Sequence, residues 1–288
     1  MSQKKVSIII PTSNRIKELR KALESVFHQT YKNWEIVIID NYSNDGTDEY
    51  IRNLNEKRVI YKKYKNEGII GASRNKGINY SEGFYLAFLD SDDWWEKNKL
   101  EKCIETINSR KSDFVYHNCY IKGENISSRT YARQLKKPIY DDLLRNGNTI
   151  ITSSVVVKKE LIIKAGCFSE KSNICGWEDY DLWIKISKMK KNFILIPEIL
   201  GSYGMGEDKF DNSERILLNI TNMYNCVLKE YKDKTGIEPW WPLYTKALAN
   251  LRIGNIRIAR KLLIKNILFN SPNLSKLKSL YYFFKSFT

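Results

Sequence analysis

Four short apolar segments dominate the first ninety residues of the chain: Val6–Ile10, Glu35–Ile39, Val59–Tyr61 and Phe84–Leu89. The segments between them have helical periodicity; Ile16–Phe27, for example, places its apolar residues on one face. Continuous apolar strands that alternate with amphipathic helices are typical of a mostly parallel sheet covered by helices. The sequence therefore predicts an α/β, Rossmann-like fold.

The fourth apolar segment ends in a cluster of acidic residues. If the extended backbone continues past Leu89, Asp90 and Asp92 project to the same side, because side chains alternate along a strand. Paired carboxylates suit Mn²⁺ or Mg²⁺, and such an ion can hold a diphosphate. Asp93 is predicted to be a helix N-cap with Glu96 as its capping-box partner. Taken alone, the cluster fits equally well a polar turn before a capped helix.

Candidate binding residues also follow two other predicted strands. Pro11 comes after the first strand and Asp40 after the second, as Asp90 does after the fourth. Ligands of open α/β sheets bind beyond the carboxyl ends of the strands. We therefore expect these residues to border one binding crevice.

The second half of the chain is less regular. Strands are predicted at Phe114–Tyr120, Ile150–Val157, Phe193–Ile196 and Ile199–Tyr203, and helices at Leu161–Ala165 and after Trp177. From Asn212 onward the pattern predicts one long helix, a break at Trp240-Trp241-Pro242, and further helices. We expect two domains, residues 1–205 and a helical, basic C-terminal extension, residues 206–288.

Composition narrows the class of protein. With 288 residues, 42% of them hydrophobic, the chain can bury a large core. It begins without a signal-peptide pattern and has no apolar run near the roughly 18 residues that span a bilayer, so we expect a cytoplasmic protein. The five cysteines form no Cys-x-x-Cys pair, and with only two histidines a zinc site or disulfide framework is not expected.

The net charge of +15 is concentrated near the C-terminus, where residues 239–288 hold nine basic residues and no acidic one. Aromatic and aliphatic residues accompany them between Leu277 and Phe287. This combination fits a peripheral anchor on an anionic membrane surface. A helical hairpin packed on the α/β domain fits equally well. No nucleic-acid-binding module accompanies the charge, so nucleic acid is not an expected partner.

Five motifs resemble, in order and spacing, the inverting glycosyltransferases of family 2, which have a GT-A fold. They are Pro11-Thr12-Ser13-Asn14, the strand ending at Asp40, Arg74-Asn75-Lys76-Gly77, Leu89-Asp90-Ser91-Asp92-Asp93 and Trp177-Glu178-Asp179-Tyr180-Asp181-Leu182-Trp183. The resemblance covers roughly residues 4 to 205. It implies that the following residues bind a nucleotide sugar: Pro11, Thr12, Asp40, Arg74, Asp90 and Ser91.

Within that site the resemblance implies more specific roles. Asp40 accepts a hydrogen bond from the uracil N–H, although a turn-initiating aspartate is the alternative. Arg74 clamps the diphosphate, with a solvated helix arginine as the alternative. Asp92, with Asp90 as a further candidate, ligates Mn²⁺ or Mg²⁺.

On the acceptor side, the resemblance makes Asp179 the general base and places Trp177 and Glu178 at the acceptor. Both acidic residues also suit the start of a helix, whose dipole is expected to keep Asp179 ionised at some loss of basicity. Relatives often complete the metal site with a histidine, but Ser202-Tyr203-Gly204-Met205-Gly206 offers none.

The resemblance thus implies transfer of a hexose or N-acetylhexosamine, with inversion, from a nucleotide sugar such as a UDP-sugar. The acceptor is a hydroxyl of a lipid-linked oligosaccharide or glycolipid used for a bacterial surface polysaccharide such as lipopolysaccharide. The enzyme would be peripheral on the inner face of the cell membrane. The alternative is a non-catalytic nucleotide-binding scaffold of a glycan-assembly complex.

Overall fold

The computed structural model describes residues 3–123, 126–129, 132–204, 213–236, 238–268 and 273–287. Its strands are β1 (Val6–Thr12), β2 (Trp34–Asp40), β3 (Val59–Lys63), β4 (Tyr85–Phe88), β5 (Trp94–Trp95), β6 (Phe114–Gly123), β7 (Ile126–Arg129), β8 (Val156–Lys158) and β9 (Phe193–Gly204). Its α-helices are α1 (Ile16–Phe27), α2 (Thr47–Asn53), α3 (Ile70–Tyr80), α4 (Lys99–Ser109), α5 (Ile139–Asn146), α6 (Lys159–Lys164), α7 (Glu178–Ser187), α8 (Ser213–Met223), α9 (Lys229–Thr235), α10 (Trp241–Arg252), α11 (Ile256–Leu268) and α12 (Asn273–Lys285).

The strands form one sheet in the order β3-β2-β1-β4-β8-β6-β9-β5, with β7 paired to β6. The first four strands are mutually parallel, as predicted. Beyond β4 the sheet is mixed: β8 runs antiparallel to both β4 and β6, whereas β6 and β9 are parallel. The parallel half therefore brings the carboxyl ends of β1, β2 and β4 to one edge.

Both faces of the parallel strands are covered by helices. Ile8 and Ile10 of β1 belong to a buried cluster with Leu19 and Leu23 of α1. The intervening Ile9 faces the other way, since a Cβ added to Gly77 of α3 would lie 2.4 Å from its Cγ2 atom. Glycine at this position lets α3 lie close against the sheet.

The segment between β7 and β9 differs from our prediction of a strand at Ile150–Val157. Its first part is a 3₁₀ turn, Thr152–Ser154, and only Val156–Lys158 is extended. Ser153 explains the difference, because its hydroxyl and carbonyl bind the ends of other strands instead of continuing a ladder. The two strands predicted around Pro197 are one strand, β9, with an irregular register to β6.

The described residues divide into two compact units, residues 1–139 with 149–206 and residues 140–148 with 207–288. In the second unit the predicted long helix consists of α8, a π-helical turn at Tyr224–Leu228, and α9; Asn212 lies outside the described residues. The predicted break at Trp240-Trp241-Pro242 is the start of α10, where proline suits the first turn.

The last helices of the second unit have one buried and one exposed side. Ala259, Leu263 and Asn266 of α11 are buried, and the Asn266 amide donates to the hydroxyls of Ser275 (3.2 Å) and Ser279 (3.0 Å) in α12. Several large apolar side chains stay exposed on these helices and just after them: Ile258, Ile264, Leu268, Leu277, Leu280, Tyr281, Phe284 and Phe287. None of the helices in the described ranges is long and apolar enough to cross a bilayer.

Candidate active site

A turn after β4 gathers three carboxylates, so the extended backbone that we considered beyond Leu89 is not what brings them together. Oxygen atoms of Asp90, Asp92 and Asp93 all lie within 4.8 Å of one another. Ser153 helps to hold the turn, since its hydroxyl accepts from the Asp90 N–H (3.0 Å) and donates to the Asp93 carboxylate. A group of hard oxygen donors at this spacing fits a Mn²⁺ or Mg²⁺ ion.

Asp93 is not the helix N-cap that we predicted. The backbone after it forms β5, which pairs with β9, and α4 begins only at Lys99 with Asn98 as its N-cap residue. The Asp93 carboxylate instead accepts the N–H of Gly204, at 2.7 Å, from the end of β9. Pairing with a strand more than one hundred residues away thus outweighs the local capping signal, and Asp93 becomes part of the acidic cluster.

Two arginines contact this cluster. Arg74 Nη2 lies 2.8 Å from Asp90 Oδ1, and Arg15 Nη1 lies 2.7 Å from Asp92 Oδ2. Arg15 was missed in the sequence analysis. Its position directly after the Pro11–Asn14 motif, at the carboxyl edge of the sheet, was the available signal.

Arg74 joins the acidic cluster to the start of α7. Its side chain is only 3% exposed, which excludes the solvated helix arginine, and its Nη1 atom lies 2.8 Å from Glu178 Oε1. Burial opposes the charged form, but the carboxylates of Asp90 and Glu178 outweigh it and raise the pKa of Arg74. Arg74 is therefore a permanent cation between two acidic segments.

Asp179 lies at the first turn of α7, beside this ion pair. Its Oδ2 atom accepts from the Thr152 hydroxyl (2.8 Å) and its Oδ1 atom from the Tyr180 N–H (2.6 Å). Burial, followed by the charge of Glu178, raises the pKa of Asp179 to about 6, although Thr152 and Arg74 act in the opposite direction. We expected the helix dipole to lower its basicity; burial and Glu178 prevail. The group is ionised at neutral pH and is a stronger base than a solvated aspartate.

The residues predicted at the acceptor differ in exposure. Trp177 is partly exposed, and its ring lies 5.9 Å from that of Tyr180. Glu178 is only 5% exposed, and its carboxylate accepts from the Gly176 N–H (2.6 Å) as well as from Arg74. This placement gives Glu178 a positioning role more readily than contact with an acceptor.

On the nucleotide side, the residues at the ends of β1 and β2 are buried. Thr12 is 5% exposed, and its hydroxyl has no hydrogen-bond partner among the described residues. Asp40 is fully buried; it accepts the Tyr61 hydroxyl (2.6 Å) and the backbone N–H of Ser43 (3.1 Å). The turn-forming role of Asp40 is thus present, and its contact with a base stays a prediction. Pro11 and Ser91 are also buried.

No histidine joins the acidic cluster within the ranges that the structure describes. His28 is exposed at the end of α1. His117 is buried in β6, and burial lowers its pKa to about 3. Met205 and Gly206, part of the segment in which we looked for a histidine, lie outside the described residues.

Comparison with known proteins identifies the family of this chain. The family model "Glycosyl transferase family 2" matches residues 7–164. The chain belongs to glycosyl transferase family 2. This match includes the acidic cluster and Arg74 and ends before Asp179.

Curated relatives of this family 2 chain include an uncharacterized glycosyltransferase of Rickettsia conorii, 31% identical over 98% of the chain. The chain spans only 45% of that relative's length. A second relative is the Escherichia coli UDP-Glc:alpha-D-GlcNAc-diphosphoundecaprenol beta-1,3-glucosyltransferase, 35% identical over 64% of this chain and 70% of that protein.

Solved structures show the fold of this family 2 member. Staphylococcus aureus TarS 1-349 in complex with UDP-GlcNAc superposes with a TM-score of 0.61 at 17% identity, over 91% of this chain and 80% of that chain. The mannosyltransferase PcManGT from Pyrobaculum calidifontis, in complex with GDP-Man and Mn²⁺, gives 0.61 at 18% identity, over 98% and 80%. The fold is GT-A, as predicted.

Proposed function

We propose that this chain transfers a hexose or N-acetylhexosamine from a UDP-sugar to a hydroxyl of a lipid-linked or surface oligosaccharide, with inversion. The observation that carries this proposal is the link through Arg74, which contacts both Asp90 in the acidic cluster and Glu178, the neighbour of Asp179. Ligands for a donor and a base for an acceptor thus belong to one charged network.

On the donor side, Asp92 and Asp90, with Asp93 beside them, would hold Mn²⁺ or Mg²⁺. The spacing of their oxygens supports this assignment. When bound, the ion neutralises the charge that grows on the departing nucleotide diphosphate. Arg74 contacts the Asp90 carboxylate and orients it. The Thr12 hydroxyl, beside Pro11 at the end of β1, has no hydrogen-bond partner in the part of the chain that the structure describes and is a candidate contact for the nucleotide.

On the acceptor side, Asp179 would remove the proton from the attacking hydroxyl. The hydroxyl oxygen forms the new bond to the anomeric carbon, and the bond to the diphosphate breaks on the opposite face, so the configuration inverts. The Thr152 hydroxyl and the Tyr180 N–H fix the Asp179 carboxylate, and Glu178 raises its basicity. Trp177 is a candidate for contact with the acceptor sugar.

The lipid-linked acceptor is supported by the names of relatives. The E. coli relative is named for a diphosphoundecaprenol acceptor and UDP-Glc, and a Bacillus subtilis relative is named a putative teichuronic acid biosynthesis glycosyltransferase.

A peripheral position on the inner face of the cell membrane is supported by the second unit. Exposed aromatic side chains such as Tyr281, Phe284 and Phe287 occur in the same segment of the sequence as Lys278 and Lys285, a composition that suits an anionic lipid surface. Replacing Phe284 and Phe287 with Ser should release the protein from vesicles that contain anionic lipid in a sedimentation assay. Unaltered sedimentation would leave the exposed aromatics without this role.

The test of the proposed function is a thermal-shift panel of UDP, GDP, CDP and dTDP, each with and without Mn²⁺. A ligand that binds only the folded chain at a hundredfold excess over Kd stabilises it by about 2.7 kcal/mol. We expect a shift with UDP that requires Mn²⁺ and is lost in Asp92→Ala. If no nucleotide produces a shift, transfer from a nucleotide sugar is refuted, and so is the nucleotide-binding scaffold.

A further inference from the structure

Arg15 lies between the end of β1 and the start of α1 and contacts the carboxylate expected to bind the metal. We propose that Arg15 is an exchangeable counterion of Asp92: it occupies the carboxylate in the metal-free protein and leaves when a divalent cation binds. As a result, the site binds the cation much more tightly when a nucleotide diphosphate is present than when the cation binds alone. This inference rests on the proposed function and specifies how the same site is loaded.

The acidic cluster needs a positive charge when no metal is bound. Three carboxylates within 4.8 Å repel one another, and partial burial strengthens that repulsion. Asp93 receives hydrogen bonds from Ser153 and Gly204, and Asp90 receives the guanidinium of Arg74. The guanidinium of Arg15 provides the corresponding contact to Asp92.

The two arginines differ in how easily they can leave. Arg74 is 3% exposed and contacts two carboxylates, so its removal would strand buried charges. The Arg15 side chain is 34% exposed, so it is not a buried cation. Its guanidinium can therefore move to solvent or to a ligand. Of the two arginines, Arg15 is therefore the one with the properties of an exchangeable group.

Arg15 and a metal ion compete for the same atom. An oxygen that accepts a guanidinium N–H at 2.7 Å cannot keep that contact while a divalent cation coordinates from the same side, and the two positive charges repel. A cation that arrives alone must therefore displace Arg15. A diphosphate compensates for this displacement, because its oxygens match the planar guanidinium well. Cation and nucleotide are coupled as a result, and such coupling is reciprocal.

The test measures Mn²⁺ binding without any turnover, from the free-ion signal in electron paramagnetic resonance, for the wild type and R15M. Without nucleotide, R15M should bind Mn²⁺ about tenfold more tightly. Addition of UDP should increase the Mn²⁺ affinity of both proteins. This gain in affinity should be about tenfold smaller for R15M than for the wild type. R52M is the matched control: it removes the same charge from an exposed pair with Asp48 in α2 and should leave both values unchanged.

Unchanged or weaker binding of Mn²⁺ alone by R15M would overturn the inference, as would an equal gain in R52M. Thermal melts establish that the variants are folded; if R15M does not fold, R15Q gives the same comparison. Failure of the wild type to bind Mn²⁺ even with UDP would instead refute the metal site of the proposed function. If the wild type binds Mn²⁺ in the presence of UDP and the Mn²⁺ affinities of R15M equal those of the wild type, only the role of Arg15 would be refuted.

Discussion

Replacing Glu178 with Gln should make Asp179 a weaker base. The Glu178 charge is one of the two causes that raise the pKa of Asp179 to about 6. Gln removes this charge, and Arg74, no longer neutralised by Glu178, then favours the ionised Asp179 more strongly. Both changes lower the pKa of Asp179, so the direction of the effect is unambiguous.

The size of the effect follows from Coulomb's law. Carboxylates of consecutive residues lie on the order of 7 Å apart, and with an effective dielectric constant of about 20 to 40 their repulsion is about 1 to 2 kcal/mol. That corresponds to roughly one pKa unit. Gln keeps an oxygen for Arg74 but loses the acceptor of the Gly176 N–H, which should cost about 1 to 2 kcal/mol of stability.

A carbon-detected NMR titration of protein labelled with ¹³C-aspartate measures the pKa directly. The Asp179 signal is the one that disappears in Asp179→Asn. We expect its midpoint to move from about pH 6 to about pH 5 in Glu178→Gln. The acid limb of the kcat/KM profile should move with it, with a few-fold lower turnover above pH 7 because the base is weaker.

Glu170→Gln is the matched control, since it removes a carboxylate of the same unit that binds Asn75 and is exposed. It should leave the Asp179 midpoint in place. A midpoint that stays at pH 6 or rises in Glu178→Gln would refute the electrostatic account of this pair.

Three further predictions concern stability. Because the folded pKa of Asp179 exceeds its ordinary value, its contribution to stability is lost as the pH rises through about 6; Asp179→Asn should therefore gain stability relative to wild type between pH 4.5 and 7.5 in thermal melts, and a constant difference would contradict this. Gly204→Ala places a Cβ 2.5 Å from the Asp92 carbonyl oxygen. This substitution should lower the free energy of unfolding by about 1 to 3 kcal/mol and weaken Mn²⁺ binding. Gly254→Ala is the control, since its added Cβ meets no atom within 4 Å, and it should leave Mn²⁺ binding intact. Burial lowers the pKa of Lys99 to about 8, so its charge destabilises the fold below that pH; Lys99→Met should be about 1 kcal/mol more stable at pH 7 in urea titrations, and the gain should shrink towards pH 10.

Sequence patterns predicted the parallel half of the sheet well because its signals are local. Each apolar strand is predicted from the residues within it. The edge of the sheet where Pro11, Asp40 and Asp90 lie follows from the direction of the strands alone. The acidic residues were likewise visible in one short segment, but the strand alternation from which we paired Asp90 with Asp92 is absent: β4 ends at Phe88, and a turn brings the carboxylates together.

The errors arose where distant segments decide the local structure. Asp93 has the sequence of an N-cap, but β9 pairs with the residues after it. Ser153 lies in an apolar segment typical of a strand, yet it forms the turn that supports Asp90 and Asp93. The exchange of hydrogen bonds between such remote residues has no periodicity, so a pattern along the chain does not reveal it.

The pairing of Arg74 with Glu178 crosses 104 positions of the chain, and this has a consequence for protein engineering. A hybrid enzyme that joins the first 164 residues of this chain to the remainder of a relative would inherit one half of a buried ion pair. Unless the incoming segment carries an acidic residue opposite Arg74, the hybrid would keep a cation with too little negative charge around it. Acceptor specificity should therefore be exchanged at boundaries that keep both partners from the same parent.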